Sequence, residues 1–100
     1  MMDAPVPVDS LPWRKQATVE GRVRSVSIGP LDSATALTCE LFDATGGITL
    51  IFYGRRTVPG IQPGTQLRAS GVVGEAAGIL AIADPDYRLL VSDKGNDDDN

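Results

Sequence analysis

The chain has 100 residues, a formal net charge of −4, no histidine and one cysteine. The lack of histidine excludes His-based catalytic triads, His general bases and His-containing metal sites, and a single cysteine excludes an internal disulfide and a Cys-rich zinc site. A chain of this length buries about two-thirds of its unfolded surface, which is enough for one hydrophobic core. We therefore expect one domain.

The two ends of the chain differ in composition from its middle. Residues 1–12 carry prolines and acids with few large apolar residues, which predicts a flexible leader that buries too little surface to become ordered. Residues 91–100 carry four aspartates against one lysine, which predicts a disordered acidic tail. Residues 13–90, with eight bases and seven acids, form the predicted domain. The negative charge therefore comes from the two ends, and the domain is about neutral.

Membrane insertion and export are not indicated. No apolar run approaches the ~20 residues that a membrane-spanning helix needs. The first residues carry acids where a signal peptide carries bases. We expect a cytoplasmic protein without a membrane partner, in which Cys39 is a small buried hydrophobic residue.

Alternation of apolar and polar residues predicts five strands. The first has Val19, Gly21 and Val23 inward and loses its phase near Ser25, where a bulge would bend it. The second and third flank a turn in which Asp43 accepts amide hydrogen bonds and two glycines supply positive φ. The predicted strands are residues 17–26, 35–42, 48–53, 65–73 and 78–83.

The connection between the third and fourth strands is short. Residues 54–64 include Pro59, Gly60, Pro63 and Gly64, so a helix of normal length does not fit there. No other segment shows helical periodicity. The sequence therefore predicts an all-β fold.

The turn and the strands around it resemble a known fold. Residues 41–56 resemble the second and third strands of anticodon-binding OB domains and of the wedge domain of branch-migrating helicases, and residues 58–71 resemble the segment after the third strand in the same domains. Over residues 13–90 the chain is similar to a family of small stand-alone OB-fold proteins of actinobacteria that are described as nucleic-acid binding. The resemblance implies a five-stranded Greek-key OB-fold barrel. Many OB barrels carry a helix between strands three and four, which this chain lacks.

Catalysis is not expected. The sequence contains neither a G-x-x-x-x-G-K-[ST] nor a G-x-G-x-x-G motif for holding phosphates. Asp84 and Asp86 flank Pro85 in a turn, where acids ordinarily cap backbone amides. We expect a protein that is not an enzyme and has no cofactor and no metal.

The outward phases of the strands predict a binding surface of arginines around two aromatic rings. Bases stack on aromatic faces for ~1–3 kcal/mol each while guanidinium groups contact phosphates. This combination predicts weak, sequence-tolerant binding of single-stranded DNA or RNA. In the alternative, Phe42 and Tyr53 pack against the protein and the arginines are solvated charge. The candidate nucleic-acid-binding residues are Arg22, Arg24, Phe42, Tyr53, Arg55, Arg56 and Arg68.

A second function stays open. Residues 29–34 and 74–78, which would form the ligand-clamping loops, contain one acid each and no base or aromatic residue. With the neutral charge of the domain, these loops favour a protein-interaction adaptor that uses the barrel face or a strand edge. Trp13 and Tyr87, at the ends of the strand pattern, are expected to plug the barrel.

Overall fold

A computed structural model describes residues 3–31 and 33–90 of the chain. Within these residues there is no α-helix, and therefore no helix that could cross a membrane. The predicted all-β class is therefore confirmed, whereas the predicted acidic tail, residues 91–100, lies outside the described residues. The elements are a 3-10 turn at Val8–Ser10 and the strands β1 Gln16–Leu31, β2 Ala34–Asp43, β3 Gly46–Tyr53, β4 Gln66–Ala76, β5 Ile79–Ala83 and β6 Asp86–Leu89.

Five of the strands form a closed ring. β2 lies between β1 and β3, β3 pairs in parallel with β5, β5 pairs antiparallel with β4, and β4 returns to β1. All five predicted strands are present. The additional strand β6 pairs antiparallel with β4. Its four residues carry no β-branched side chain and no clear alternation, so the sequence pattern does not predict it.

β1 closes the ring because it bends. Its register with β2 shifts between Val23 and Ser25, which leaves Arg24 as an extra residue, and the predicted bulge is thereby confirmed. Residues 16–22 pair with β4, and residues 22–31 pair with β2. Gly21 lies at the crossing, where a Cβ atom would overlap the Phe42 carbonyl oxygen. The close approach of the two backbones therefore requires glycine.

The interior of the ring is apolar throughout. Cys39 belongs to it with an exposed fraction of 1%, as predicted, and burial raises the pKa of its thiol to about 11. A hydrogen bond with the backbone of Leu50 opposes that rise only in part. The largest fully buried side chains of this core are Val19, Val23, Leu41, Leu50, Leu67, Val73 and Ile82.

Segments outside the strands complete the core. The connection between β3 and β4 contains no helix, as predicted, and inserts Val58 and Ile61 into the core. The 3-10 turn adds Val8, which is 7% exposed. The amide of Val6 donates to the Thr18 carbonyl at 2.8 Å. The leader therefore contacts the ring through Val6, Val8 and Leu11, whereas its composition predicts too little apolar surface for this.

Asp43 joins the leader to the turn between β2 and β3. Its Oδ1 atom accepts hydrogen bonds from the amides of Thr45 (2.7 Å) and Gly46 (3.1 Å), as predicted, and from the Thr45 hydroxyl. Its Oδ2 atom accepts the amide of Val8 at 2.9 Å. Burial alone would raise the pKa of the carboxyl group, but these hydrogen bonds outweigh it and lower the pKa.

The glycines of this turn do not have the predicted role. Neither Gly46 nor Gly47 has positive φ. Both residues are already part of β3, and Ala44 and Thr45 form the turn. A Cβ atom on Gly47 would lie 2.6 Å from the Phe42 ring. Gly47 is therefore needed for the space above its backbone rather than for its φ.

The crossing at Gly21 gives a prediction for stability. Gly21→Ala should lower the free energy of unfolding by about 1–3 kcal/mol, because the new methyl group overlaps backbone atoms that cannot rotate away. Gly29→Ala, in the same strand, is the matched control because no atom lies within 4 Å of its Cβ position. Urea unfolding of both variants measures the difference. Equal stability would contradict the close crossing.

The hydrogen bonds of Asp43 predict a pH dependence. The folded-state pKa is lower than the unfolded value, so the carboxylate stabilises the fold above about pH 4 and loses this contribution as the pH falls through the folded-state value. Asp43→Asn should cost about 1 kcal/mol at neutral pH, a modest value because the turn is partly solvated. The deficit should shrink in acid. Urea unfolding at neutral and acidic pH measures it, and a deficit independent of pH would contradict the assignment.

Candidate functional site

A groove runs along the outer face of β2 and β3. The two strands contribute three cross-strand pairs to its floor, beginning near the turn that follows β2. One wall consists of serine side chains of β1, and the other of apolar side chains of β5. The floor pairs are Phe42 with Gly47, Glu40 with Thr49 and Thr38 with Ile51, and the walls are Ser25, Ser27, Ile79 and Leu80.

The groove has two connected halves. The half next to Phe42 has a volume of about 230 Å³, and the half next to Ile51 about 180 Å³. Both halves are lined by Glu40, Thr49 and Ile79, so the space is continuous. Ile79 is 49% exposed and forms an apolar wall that solvent reaches. The groove is therefore open, with both polar and apolar contacts available to an occupant.

One end of the groove is closed by a small apolar cluster. Ile51 is only 1% exposed and packs with Ala36 and Ala81. Leu31, Tyr53 and Ala76 pack against this cluster. The alternation along β3 predicts that Ile51 lies on the outer face and is exposed to solvent. The face is as predicted, but the exposure is wrong, because Leu31 and Ala76 of the neighbouring hairpins pack against this cluster.

Arg24 and Phe42 form a stack at the other end. The guanidinium carbon of Arg24 lies 3.7 Å from the centre of the Phe42 ring. A Cβ on Gly47 would lie 2.6–3.0 Å from three neighbouring ring atoms, so the Gly47 backbone covers a face of the ring. Arg24 and Gly47 cannot share one face at these distances and therefore cover opposite faces. Phe42 therefore has no open face on which a base could stack. The outer side of the Arg24 guanidinium is the surface that remains available for stacking.

Arg22 and Arg68 lie outside the groove. Arg22 is exposed and donates to the Gly64 carbonyl at 3.0 Å. Arg68 donates from Nε (3.0 Å) and Nη2 (2.7 Å) to one carboxylate oxygen of Glu20. This ion pair neutralises Arg68. Arg88, which the sequence pattern did not indicate, stands opposite Arg68 on β6.

Tyr53, Arg55 and Arg56 lie beyond the closed end. Tyr53 packs half-buried against the Ile51 cluster, and both arginines are exposed on the following loop. Gly47 and Tyr53 are six residues apart on β3, or roughly 20 Å along an extended strand. Of the seven predicted site residues, the structure stacks Arg24 on Phe42. Arg22 is the cross-strand partner of Phe42, but its guanidinium donates to the Gly64 carbonyl instead.

The groove also contains residues that were not predicted. Ile79 and Leu80 form its apolar wall, and Ser25 and Ser27 its polar wall. The uninterrupted apolar run 79–83 indicates that both faces of β5 contact other groups, because a strand without polar alternation is ordinarily covered on both sides. This pattern could have identified Ile79 and Leu80 as groove residues. For the serines the bulge hides the signal, because it reverses the strand phase after Arg24.

Of the two aromatic residues expected to plug the ring, Tyr87 and Trp13, only Tyr87 is packed against the core. Tyr87 packs edge-on against Phe52, with ring centres 5.8 Å apart, and its hydroxyl donates to the Pro59 carbonyl. This is the structural role expected for Tyr87. Trp13 is 50% exposed and contacts Arg14 through its ring face, so the expectation that it plugs the ring is wrong.

No known protein family matches the chain, and no curated protein is significantly similar to it. Within residues 3–31 and 33–90 there is no group of three or more His, Cys, Asp or Glu side chains that could hold a metal ion.

The stack predicts a spectroscopic signature. The ring of Phe42 should shift the Arg24 side-chain proton resonances upfield, because the guanidinium lies over the ring face. Gly47→Ala should move these resonances toward their ordinary positions, since the added methyl group displaces the ring. Gly74→Ala is the matched control, with no atom within 4 Å of its Cβ position. Unshifted Arg24 protons in the parent NMR spectrum would contradict the stack.

Proposed function

We propose that the closed ring is an OB-fold and that its groove binds single-stranded nucleic acid weakly in the cytoplasm, without catalysis. The strand order supports the fold, since β1 pairs with both β2 and β4 and a parallel β3–β5 pair completes the ring. OB-folds bind oligonucleotides on the face of strands two and three, between the loops that follow strands one and four. The groove has this position. The likeness to small stand-alone actinobacterial OB-fold proteins belongs to the same proposal.

The observation that carries the binding proposal is the Arg24–Phe42 stack at the groove mouth. Arg24 is exposed, and its guanidinium N–H groups donate to no other residue in the described part of the chain. A guanidinium plane stacks on bases and donates to phosphates. Phe42 and Gly47 hold that plane in place, which reduces the entropy that binding costs. Arg24 can therefore contact a strand that enters the groove.

The other groove residues favour weak binding. The serine wall and Thr49 offer hydroxyl groups, and Ile79 offers apolar contact, but none of them carries positive charge. Arg55 and Arg56, beyond the closed end, can reach a strand that extends past the groove. About three arginines are thus available to phosphates, and few phosphate contacts give a modest affinity.

A protein-interaction adaptor is the second candidate, favoured by one edge of the fold. In the described residues, β1 beyond Val23 pairs with β2 alone, so its other edge is open. Ile28 on this segment is 51% exposed. A partner strand could add to such an edge. Pro30 limits this, because it lacks the N–H that a full ladder needs.

Anisotropy of a short labelled single-stranded oligonucleotide tests the proposal. We expect a Kd in the micromolar range or weaker, and a slope of log affinity against log salt of roughly −2 or shallower, since each phosphate contact of a single strand contributes about 0.7. Arg24→Ala should weaken binding about five- to tenfold, the value of one lost base or phosphate contact. Arg55→Ala with Arg56→Ala should weaken it for all sequences alike and reduce the slope.

The control is Arg88→Ala, which removes an exposed arginine on β6 rather than one at the groove. It should bind as the parent does. Equal losses for Arg24→Ala and Arg88→Ala would mean that only net charge matters and would exclude the groove as the site. No binding at low salt would leave the adaptor as the better explanation.

A further inference from the structure

Glu40 is the one charged side chain that lines the groove in the described part of the chain. A carboxylate repels phosphate, so a strand in this groove cannot place its backbone against Glu40. The group that meets Glu40 must donate hydrogen bonds. This step rests on the proposed nucleic-acid function, in which that group is the edge of a base.

The carboxylate of Glu40 is held in position beside the stack. The Ser25 hydroxyl donates to its Oε1 atom at 3.1 Å, and Ser25 follows Arg24 directly in the chain. Glu40 lies two residues before Phe42 on the same face of β2, a separation of about 7 Å. The Oε2 atom accepts no hydrogen bond from the described residues. A base in this half of the groove thus has an oriented acceptor next to its edge.

The donor patterns of the bases distinguish them at such an acceptor. An ionised carboxylate accepts hydrogen bonds and donates none. Guanine presents N1–H and N2–H side by side, which match the two carboxylate oxygens. Adenine and cytosine present one amino group beside an acceptor nitrogen that the second oxygen repels. Thymine and uracil present one N–H between two carbonyl groups, which the carboxylate also repels.

We propose that the groove holds a guanine base against Ile79 and Leu80, with its N1–H and N2–H groups bonded to Glu40. These three side chains line the same half of the groove, whose volume of about 230 Å³ accommodates one base. The module therefore prefers guanine at one position of an otherwise sequence-tolerant single strand. Glu40 reads the base, and Ser25 acts as a positioning residue for the Glu40 carboxylate.

A set of oligothymidylates with one central substitution tests this inference. The central base is guanine, hypoxanthine, adenine or thymine, and hypoxanthine is the sharpest comparison because it differs from guanine only by the missing 2-amino group. We expect the guanine oligonucleotide to bind about tenfold more tightly than the hypoxanthine one, the usual discrimination of a good bidentate contact. Glu40→Gln should bring this ratio close to one.

The control is Glu75→Gln, which removes an exposed acid of β4 that does not line the groove and should keep the tenfold ratio. Guanosine monophosphate should displace the labelled strand better than inosine monophosphate. Displacement by arginine methyl ester, whose guanidinium presents the same donor pair, without displacement by guanosine monophosphate would indicate a protein ligand and overturn the inference.

The outcomes separate the two proposals. Equal binding of all four oligonucleotides, reduced by Arg24→Ala, would keep the proposed function and overturn guanine reading. An equal rise in affinity for all four in Glu40→Gln would show that Glu40 only repels phosphate, and would overturn it too. No binding of any oligonucleotide at low salt would overturn both.

Discussion

The bulge at Arg24 is the constraint on which both the fold and the groove depend. An antiparallel strand that gains one residue bends and reverses the faces of the side chains beyond it. In β1 this bend directs the first half toward β4 and the second half toward β2, so the ring closes. The extra residue itself projects outward over Phe42. The same bulge thus closes the sheet and positions Arg24 over Phe42.

The same bulge sets the chemistry of the groove wall. Just before it, the outward residues Glu20 and Arg22 of β1 are charged, and after it the outward residues are Ser25 and Ser27. Ser25 is thereby placed opposite Glu40, which it orients. Without the bulge, Arg24 would lie opposite Glu40 instead. The bulge therefore replaces a charged neighbour of Glu40 with a hydroxyl donor, and leaves Arg24 to stack on Phe42.

The interior of the ring is filled without a helix. A five-stranded ring leaves openings at its ends, and here short irregular segments contribute single apolar side chains to the core. Val58 and Ile61 come from the connection after β3, and Val8 from the segment before β1. The carboxylate of Asp43 holds Val8 in place by accepting a hydrogen bond from the Val8 backbone amide. A surface turn and a core contact are thus coupled by one carboxylate, which also explains why that carboxylate favours its ionised form.

Local patterns were enough to predict five of the six strands, the bulge, the helix-free connection after β3 and the hydrogen bonding of Asp43. Each of these depends on neighbours within a few residues. The candidate site was predicted less well, because its composition depends on contacts between distant segments. Ile51 is buried by hairpin residues far away in the chain, and Arg68 is paired with Glu20, 48 positions earlier. The phase of a strand gives the side of the sheet, but it does not show what covers that side.

The bent β1 strand also has a consequence for the route of folding. The ladder that closes the ring pairs Gln16 with Val72, far apart in sequence, whereas the hairpins of β1 with β2 and of β2 with β3 are local. We expect the local hairpins to form first, because the closing ladder joins positions that are 44 (Arg22 with Gln66) to 56 (Gln16 with Val72) apart in the chain. Until then the first half of β1 and its partner edge on β4 are unpaired and able to join other chains. We therefore expect the final pairing of β1 with β4 to be the slow step in the folding of this small domain.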